Sequence, residues 1–144
     1  MDIYGQALKE EFEGIKSETL WLHNSYDEPE LMPTDIFFRG AEDMPELELI
    51  ALQHCRGSVL DVGAGTGSHA LLLQQNPEIT VAALDNSHEA CKIMRLRGVK
   101  NVIETNFPDP TIGKFDTLLF MMNGIGITGS IKGLQKFLKE ARSY

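Results

Sequence analysis

Ser58-Val59-Leu60-Asp61-Val62-Gly63-Ala64-Gly65-Thr66-Gly67-Ser68-His69-Ala70-Leu71-Leu72-Leu73 decides how this chain folds. An apolar run closes on an acid, passes through three alternating glycines and becomes an Ala/Leu-rich run. That pattern predicts a strand, a tight turn and a helix start. Glycine suits such a turn because it adopts positive φ and lets a ligand approach bare backbone. Free N–H groups at a helix start attract negative charge. The acid at the strand end attracts positive charge. One small group with both charges is an amino acid, or the amino-acid end of a larger molecule.

Further along, Val81-Ala82-Ala83-Leu84-Asp85-Asn86-Ser87 is a second apolar run ending in an acid, and Phe115-Asp116-Thr117-Leu118-Leu119-Phe120-Met121-Met122-Asn123 is another strand-like stretch with its exit. The first stretch resembles motif I of the Rossmann-like (class I) S-adenosylmethionine-dependent methyltransferases. The second resembles that family's second strand with its ribose-binding acid, and the third its fourth strand. The similarity covers residues 57–142. The competing pattern is the dinucleotide fingerprint G-x-G-x-x-G with an acid further on. Here the third glycine, Gly67, comes one place early and Ser occupies position 68. Asp61 also stands where a dinucleotide-binding strand is normally apolar.

Around this core the chain alternates strand and helix signals. Strands are predicted over 58–62, 79–84, 101–105 and 115–121. Helices are predicted over 67–75, 87–97 and 130–142, with Ser87 as N-cap and Gly98 as stop of the second. Such alternation implies a parallel sheet with right-handed crossovers. The last helix is expected to bury Ile131, Leu134, Leu138 and Ala141, with Phe137 beside them. Upstream, Tyr4, Leu8, Phe12 and Ile15 mark an amphipathic helix weakened by Gly5 and Gly14. Residues 17–44 read as irregular and aromatic-rich, with Trp21, Tyr26, Phe37 and Phe38; a helix starts at Pro45.

The expected fold is α/β: a Rossmann-like three-layer sandwich with a partial parallel sheet of order 3-2-1-4 and an N-terminal helical cap. The division is residues 1–55 as cap or lid and 56–144 as a cofactor-binding core. The family's sheet has seven strands, ordered 3-2-1-4-5-7-6, and this sequence supplies the first four. A truncated product or half-domain is therefore expected.

At 144 residues the chain suits one domain. Its net charge of −8, with no basic stripe, argues against a nucleic-acid substrate surface. Cys55 and Cys91 lack metal-ligand spacing and read as buried thiols of a reducing cytoplasm. No signal peptide or membrane-length apolar run is present in the sequence.

The resemblance assigns cofactor contacts and leaves rival roles open at each. Gly63, Ala64 and Gly65 should pass against the methionine part. Asp61 should serve the amino group, cap the turn, or both. Asp85 should accept from the ribose hydroxyls or cap the following helix. Asn86 would lie along the adenine. Asn106 stands where many relatives have an Asp that accepts from the adenine amino group. Phe107 packs on the adenine or fills the core. Met121 opens the strand exit, Met121-Met122-Asn123-Gly124, where substrate and cofactor meet. Arg39 grips the cofactor carboxylate, or pairs with Glu42 or Asp43. His23, His69 and His88 can each act as a base, and no residue is assigned to catalysis or to a metal.

The resemblance thus implies S-adenosyl-L-methionine as cofactor and methyl transfer to a small-molecule acceptor, in a cytoplasmic enzyme. The Asp/Asn-Pro-Pro-Tyr/Phe motif of amino-group methylation on DNA bases or glutamine is absent from the strand exit. The alternatives are a non-catalytic module that binds the cofactor or its demethylated product, and a dinucleotide-binding oxidoreductase domain. Neither nucleic acid nor membrane is expected as partner. The apolar edge of the strand over 115–121 predicts self-association.

Overall fold

A computed structural model describes residues 1–15 and 20–144. In chain order the helices and strands are α1 (Ile3–Phe12), β1 (Leu20–Leu22), β2 (Glu30–Met32), α2 (Glu46–His54), β3 (Ser58–Val62), α3 (Ser68–Leu73), β4 (Thr80–Asp85), α4 (His88–Arg97), β5 (Val102–Glu104), β6 (Thr117–Leu119) and α5 (Ile131–Glu140). The main sheet runs β5-β4-β3-β6, all parallel. Counted within the α/β repeat this is the expected order 3-2-1-4.

Alternation along the two central strands decides what faces what. Val59, Val81, Ala83 and Leu119 pack with Ala70 and Leu73 of α3 and with Cys91 and Met94 of α4. Leu60, Val62, Ala82 and Leu84 face the other way, onto Phe107, Phe120 and Phe137. The sheet is thus covered on both faces, as a parallel sheet requires. Asp61 falls in step with Val59, and Asp85 with Val81 and Ala83, so both acids lie on the α3/α4 face. Both cysteines are buried and free, and burial raises the Cys91 thiol to about 11.

Local signals account for the element ends. Ser87 Oγ accepts the Ala90 N–H at 3.1 Å, and Gly98 ends α4 at φ 94°. The Asp116 carboxylate accepts the N–H and hydroxyl of Ser58, both at 2.8 Å, pinning the start of β6 to β3. β1 and β2 form an antiparallel hairpin, Leu20 opposite Met32. Asn24 Oδ1 bonds the Tyr26 and Asp27 amides in its turn.

Several expectations need correction. The segment read as irregular contains this hairpin; its residues 17–19 lie outside the described residues. β6 is shorter than the predicted 115–121, because the chain turns away after Leu119 and the Gly124 N–H closes onto the Met121 carbonyl. α1 stops at Phe12, leaving Ile15 beyond it and 53% exposed. Gly5 is not a weakness: a Cβ there would lie 2.2 Å from Asp2 Oδ2 and 2.4 Å from Ser87 Oγ. Phe137 of α5, and Tyr144 beyond its end, turn inward, while Ile131 and Leu138 of α5 are 77% and 63% exposed.

Candidate functional site

The C-terminal ends of β3 and β4 and the exit of β6 meet at the glycine turn, where open α/β sheets bind ligands. Gly63, Gly65 and Gly67 all have positive φ, from 58° to 80°. Gly67 is further required by packing, since a Cβ would lie 2.7 Å from Val99 Cγ2. A Cβ on Gly63 would meet nothing within 4 Å, so that edge of the backbone is open.

The turn amides do not all point outward as expected. The Gly63 and Ala64 N–H groups both donate to the Leu84 carbonyl, at 2.9 and 3.0 Å. The Gly65 N–H donates to Asp85 Oδ2 at 2.8 Å, and the Ser87 N–H to Asp85 Oδ1 at 2.9 Å. Burial raises the Asp85 carboxyl, these amide bonds oppose the rise, and nearby Asp2 adds to it. Asp85 therefore serves the turn and the start of α4 at once.

Asp61 is 1% exposed, and its Oδ2 has no hydrogen-bond partner among the described residues. Burial pushes this carboxyl up to about 6, against a pull from His69. A buried acceptor without a donor is costly. It fits a ligand that brings a donor, above all a cation.

One wall of the pocket is a charged bridge. Arg39 Nη2 bonds Glu48 Oε1, and His69 Nε2 lies 2.8 Å from Glu48 Oε2. A carboxylate can only accept, so His69 carries its proton on Nε2 in this contact. Burial would raise the Glu48 carboxyl, but the bonds from His69 and Arg39 outweigh it and hold it low. The Arg39 partner is thus neither Glu42 nor Asp43. Glu48 itself escaped the sequence reading, since a Glu in the first turns of an acidic helix resembles solvated surface.

The remaining walls come from the cap and the strand exit. A pocket of about 90 Å³ is lined by Tyr4, Phe37, Arg39, Gly63–Thr66, Ser68, His69, Met121 and Met122, among others. One water needs only about 10–15 Å³, so the space admits a small polar group. The Phe37 carbonyl accepts from the Thr66 and Ser68 hydroxyls. Arg97 ties both hydroxyls and the Phe38 carbonyl together, and its guanidinium stacks 5.2 Å from the Phe38 ring. Tyr4 meets Phe37 edge-on at 5.4 Å. Burial, with Asp85 and Asp2 nearby, raises the Tyr4 phenol well above its ordinary value. At the exit, Met122 (φ 48°) and Asn123 (φ 67°) hold left-handed backbone, a costly state for Met.

Gly63, Ala64, Gly65, Arg39 and Met121 therefore gather at one pocket, with Asp61 behind its floor. Asp85, Asn86 and Asn106 lie outside its lining. The last two are joined to each other, Asn86 Nδ2 donating to Asn106 Oδ1 at 3.0 Å on an exposed ledge. Phe107 takes the core role: it is 6% exposed and its ring meets those of Phe120, Phe137 and Tyr144 at 5.1 to 5.7 Å. His23 and His88 are exposed, and His88 pairs with Glu104. Among the described residues no cluster of His, Cys, Asp and Glu could hold a metal ion, and no helix is long and apolar enough to cross a membrane.

The architecture has a solved counterpart. An S-adenosylmethionine-dependent methyltransferase from Bacteroides fragilis, in complex with S-adenosyl-L-homocysteine, superimposes with a TM-score of 0.88 at 36% identity over 99% of this chain. This is the class I methyltransferase fold. The chain spans 59% of the length of that methyltransferase. The sugar N-methyltransferase KedS8 from a Streptoalloteichus species matches 88% of the chain and 52% of its own at a TM-score of 0.52 and 18% identity, a likeness of fold alone. No protein-family profile and no curated protein sequence matches the chain. Within the methyltransferase fold the glycine turn, the acid ending β4 and the exit of β6 occupy the ends of adjacent strands, as the sequence resemblance implied.

Proposed function

We propose that this chain binds S-adenosyl-L-methionine and forms the cofactor-binding part of a methyltransferase acting on a small molecule. The observation that carries the reading is the buried, unpartnered Oδ2 of Asp61 beneath the open glycine turn. The ammonium of the cofactor's methionine end is the donor it lacks. Arg39, which lines the same pocket, offers a guanidinium to the carboxylate of the same end. Asp85, which ends β4, and the exposed Asn86–Asn106 pair would then take the ribose and adenine.

When bound, the cofactor supplies an activated methyl group on a sulfonium. The protein's part is to orient it and exclude water, and methyl transfer needs no metal. Phe37, Met121 and Met122 give the pocket apolar walls, and Met121 and Met122 stand at the strand exit, where an acceptor would enter. The Bacteroides fragilis relative, solved with S-adenosyl-L-homocysteine, supports this choice of ligand.

Calorimetry tests the reading directly. S-adenosylhomocysteine should bind and NAD should not; the reverse result would make the chain a dinucleotide binder. Transfer of labelled methyl to a panel of small amines, alcohols and thiols should then identify an acceptor. Cofactor binding without transfer to any acceptor would identify a binding module. As a further partner we propose a second copy of the chain, docking on the apolar surface around β6 and α5.

A further inference from the structure

Glu48 joins two pocket residues that come from distant parts of the chain. Its Oε1 takes Arg39 from the cap and its Oε2 takes His69 from α3, so both carboxylate oxygens are engaged. The three side chains are only 9–15% exposed, and solvent screens such a bridge weakly. Arg39 engages Glu48 through Nη2; among the described residues its Nη1 and Nε have no protein acceptor. The Nη1 group, beside the bonded Nη2 at the end of the guanidinium, keeps its N–H donors for a second carboxylate.

We propose that Glu48 is a positioning residue for amino-acid recognition: it fixes Arg39 and His69 as the wall that receives the ligand's α-carboxylate, in the same subsite as the acid that receives its ammonium. This rests on the cofactor reading above and deepens it. A lone Arg39 at a pocket rim has many rotamers, and ordering it on binding would cost affinity. The Glu48 bond removes that freedom beforehand. Its second bond holds the His69 ring, which touches the pocket and acts electrostatically on Asp61. The bridge therefore links the two charged ends of the subsite through α2.

The position of Glu48 supports the assignment. Buried Glu is rare unless paired, and Glu48 is 9% exposed on a helix whose neighbours Leu47 and Ile50 are 77% and 42% exposed. α2 thus turns its acid toward the pocket and leaves these apolar side chains to solvent.

Glu48→Gln keeps the shape, but it removes the negative charge and leaves one accepting oxygen where the carboxylate uses two, so Arg39 and His69 lose their common anionic partner. The test compares S-adenosylhomocysteine with 5′-methylthioadenosine, which has the nucleoside and thioether without the amino-acid end. The variant should bind S-adenosylhomocysteine at least tenfold more weakly and methylthioadenosine as the parent chain does. Equal weakening of both ligands, or of neither, would overturn the positioning role. Arg39→Gln, nearer the pocket rim, should show the same selective loss and covers the case in which Glu48→Gln fails to fold. If the parent chain binds neither ligand, the cofactor reading itself has failed, an outcome distinct from loss of selectivity in the variants.

Discussion

Asp85 Oδ2 accepts the Gly65 N–H at 2.8 Å, so the acid that ends one central strand holds the glycine turn that follows the other. Its second oxygen holds the Ser87 N–H at the start of α4. Any ribose contact of Asp85 must share a carboxylate that is already structural.

Removing that carboxylate should thus have two effects. Asp85→Ala should lower stability by about 3 kcal/mol, as two amide bonds to a charged acceptor are lost. It should also weaken S-adenosylhomocysteine binding by roughly 2–4 kcal/mol if the ribose bonds are made. A 2′-deoxy analogue separates the two roles: the parent chain should prefer the natural ribose, and Asp85→Asn should lose that preference. A parent chain indifferent to the 2′-hydroxyl would confine Asp85 to holding the turn.

Asp61 should oppose stability while serving binding. Its carboxyl rises from the ordinary 3.8 to about 6 because it is buried. The folded state therefore holds this proton more tightly than the unfolded state does. Between pH 4 and 6 the folded form binds more protons, so this group's contribution lowers stability as pH rises through that window. Above it the penalty is on the order of 2–3 kcal/mol. Asp61→Asn should consequently raise the melting temperature of the ligand-free protein at neutral pH while weakening S-adenosylhomocysteine. In the parent chain, affinity for that ligand should fall as pH drops below about 6. A variant that loses stability at neutral pH would mean that Oδ2 is not the uncompensated charge described.

The cap is pinned where it crosses the glycine turn. Arg97 holds Thr66, Ser68 and the Phe38 carbonyl together, and its burial lowers its own pKa through desolvation. Arg97→Ala should leave these acceptors short of donors and loosen residues 35–39. Chymotrypsin should then cut at Phe37 or Phe38 faster than in the parent chain, and S-adenosylhomocysteine should slow that cutting. Unchanged cleavage would show that Thr66 and Ser68 suffice to hold the segment.

Phe107 separates core from site. Its ring meets three other aromatic rings on the sheet face opposite α3 and α4. Phe107→Ala should cost about 3–5 kcal/mol of stability. At a temperature where the variant is still folded, its affinity for S-adenosylhomocysteine should match the parent's. A selective loss of affinity would return the ring to the adenine.

Much of this was legible in the chain itself, and the reasons differ by residue. β3 coincides with the predicted 58–62, since its apolar run has a glycine turn to close it. Ser87 and Gly98 bound α4 where their capping chemistry placed them. The strand order followed from the methyltransferase resemblance. What escaped was set by tertiary contact. Glu48 looks like a surface acid until α2 docks and turns it inward. Gly5 looks like a helix breaker until Asp2 and Ser87 close around it. Phe107 had two apolar fates, and only the positions of Phe120 and Phe137 choose between them. The hairpin of β1 and β2 lies in a stretch that reads as irregular, because its short strands lack the alternation that marks longer ones.

Self-association is the last expectation to test. β6 pairs with β3 on one side and has no strand on its other side among the described residues. Further along the chain, Ile131 and Leu138 of α5 are 77% and 63% exposed, and Ile125 and Ile127 are 40% and 44% exposed. Exposed apolar side chains of this kind favour burial against another surface, and an open strand edge offers backbone groups for pairing. Light scattering should show mass rising with concentration. Ile131→Glu combined with Leu138→Lys should suppress that rise without lowering the melting temperature, because both side chains are already in water. A chain that stays monomeric at high concentration would show that this surface needs no partner. Association that survives the double substitution would place the contact at the β6 edge rather than on α5.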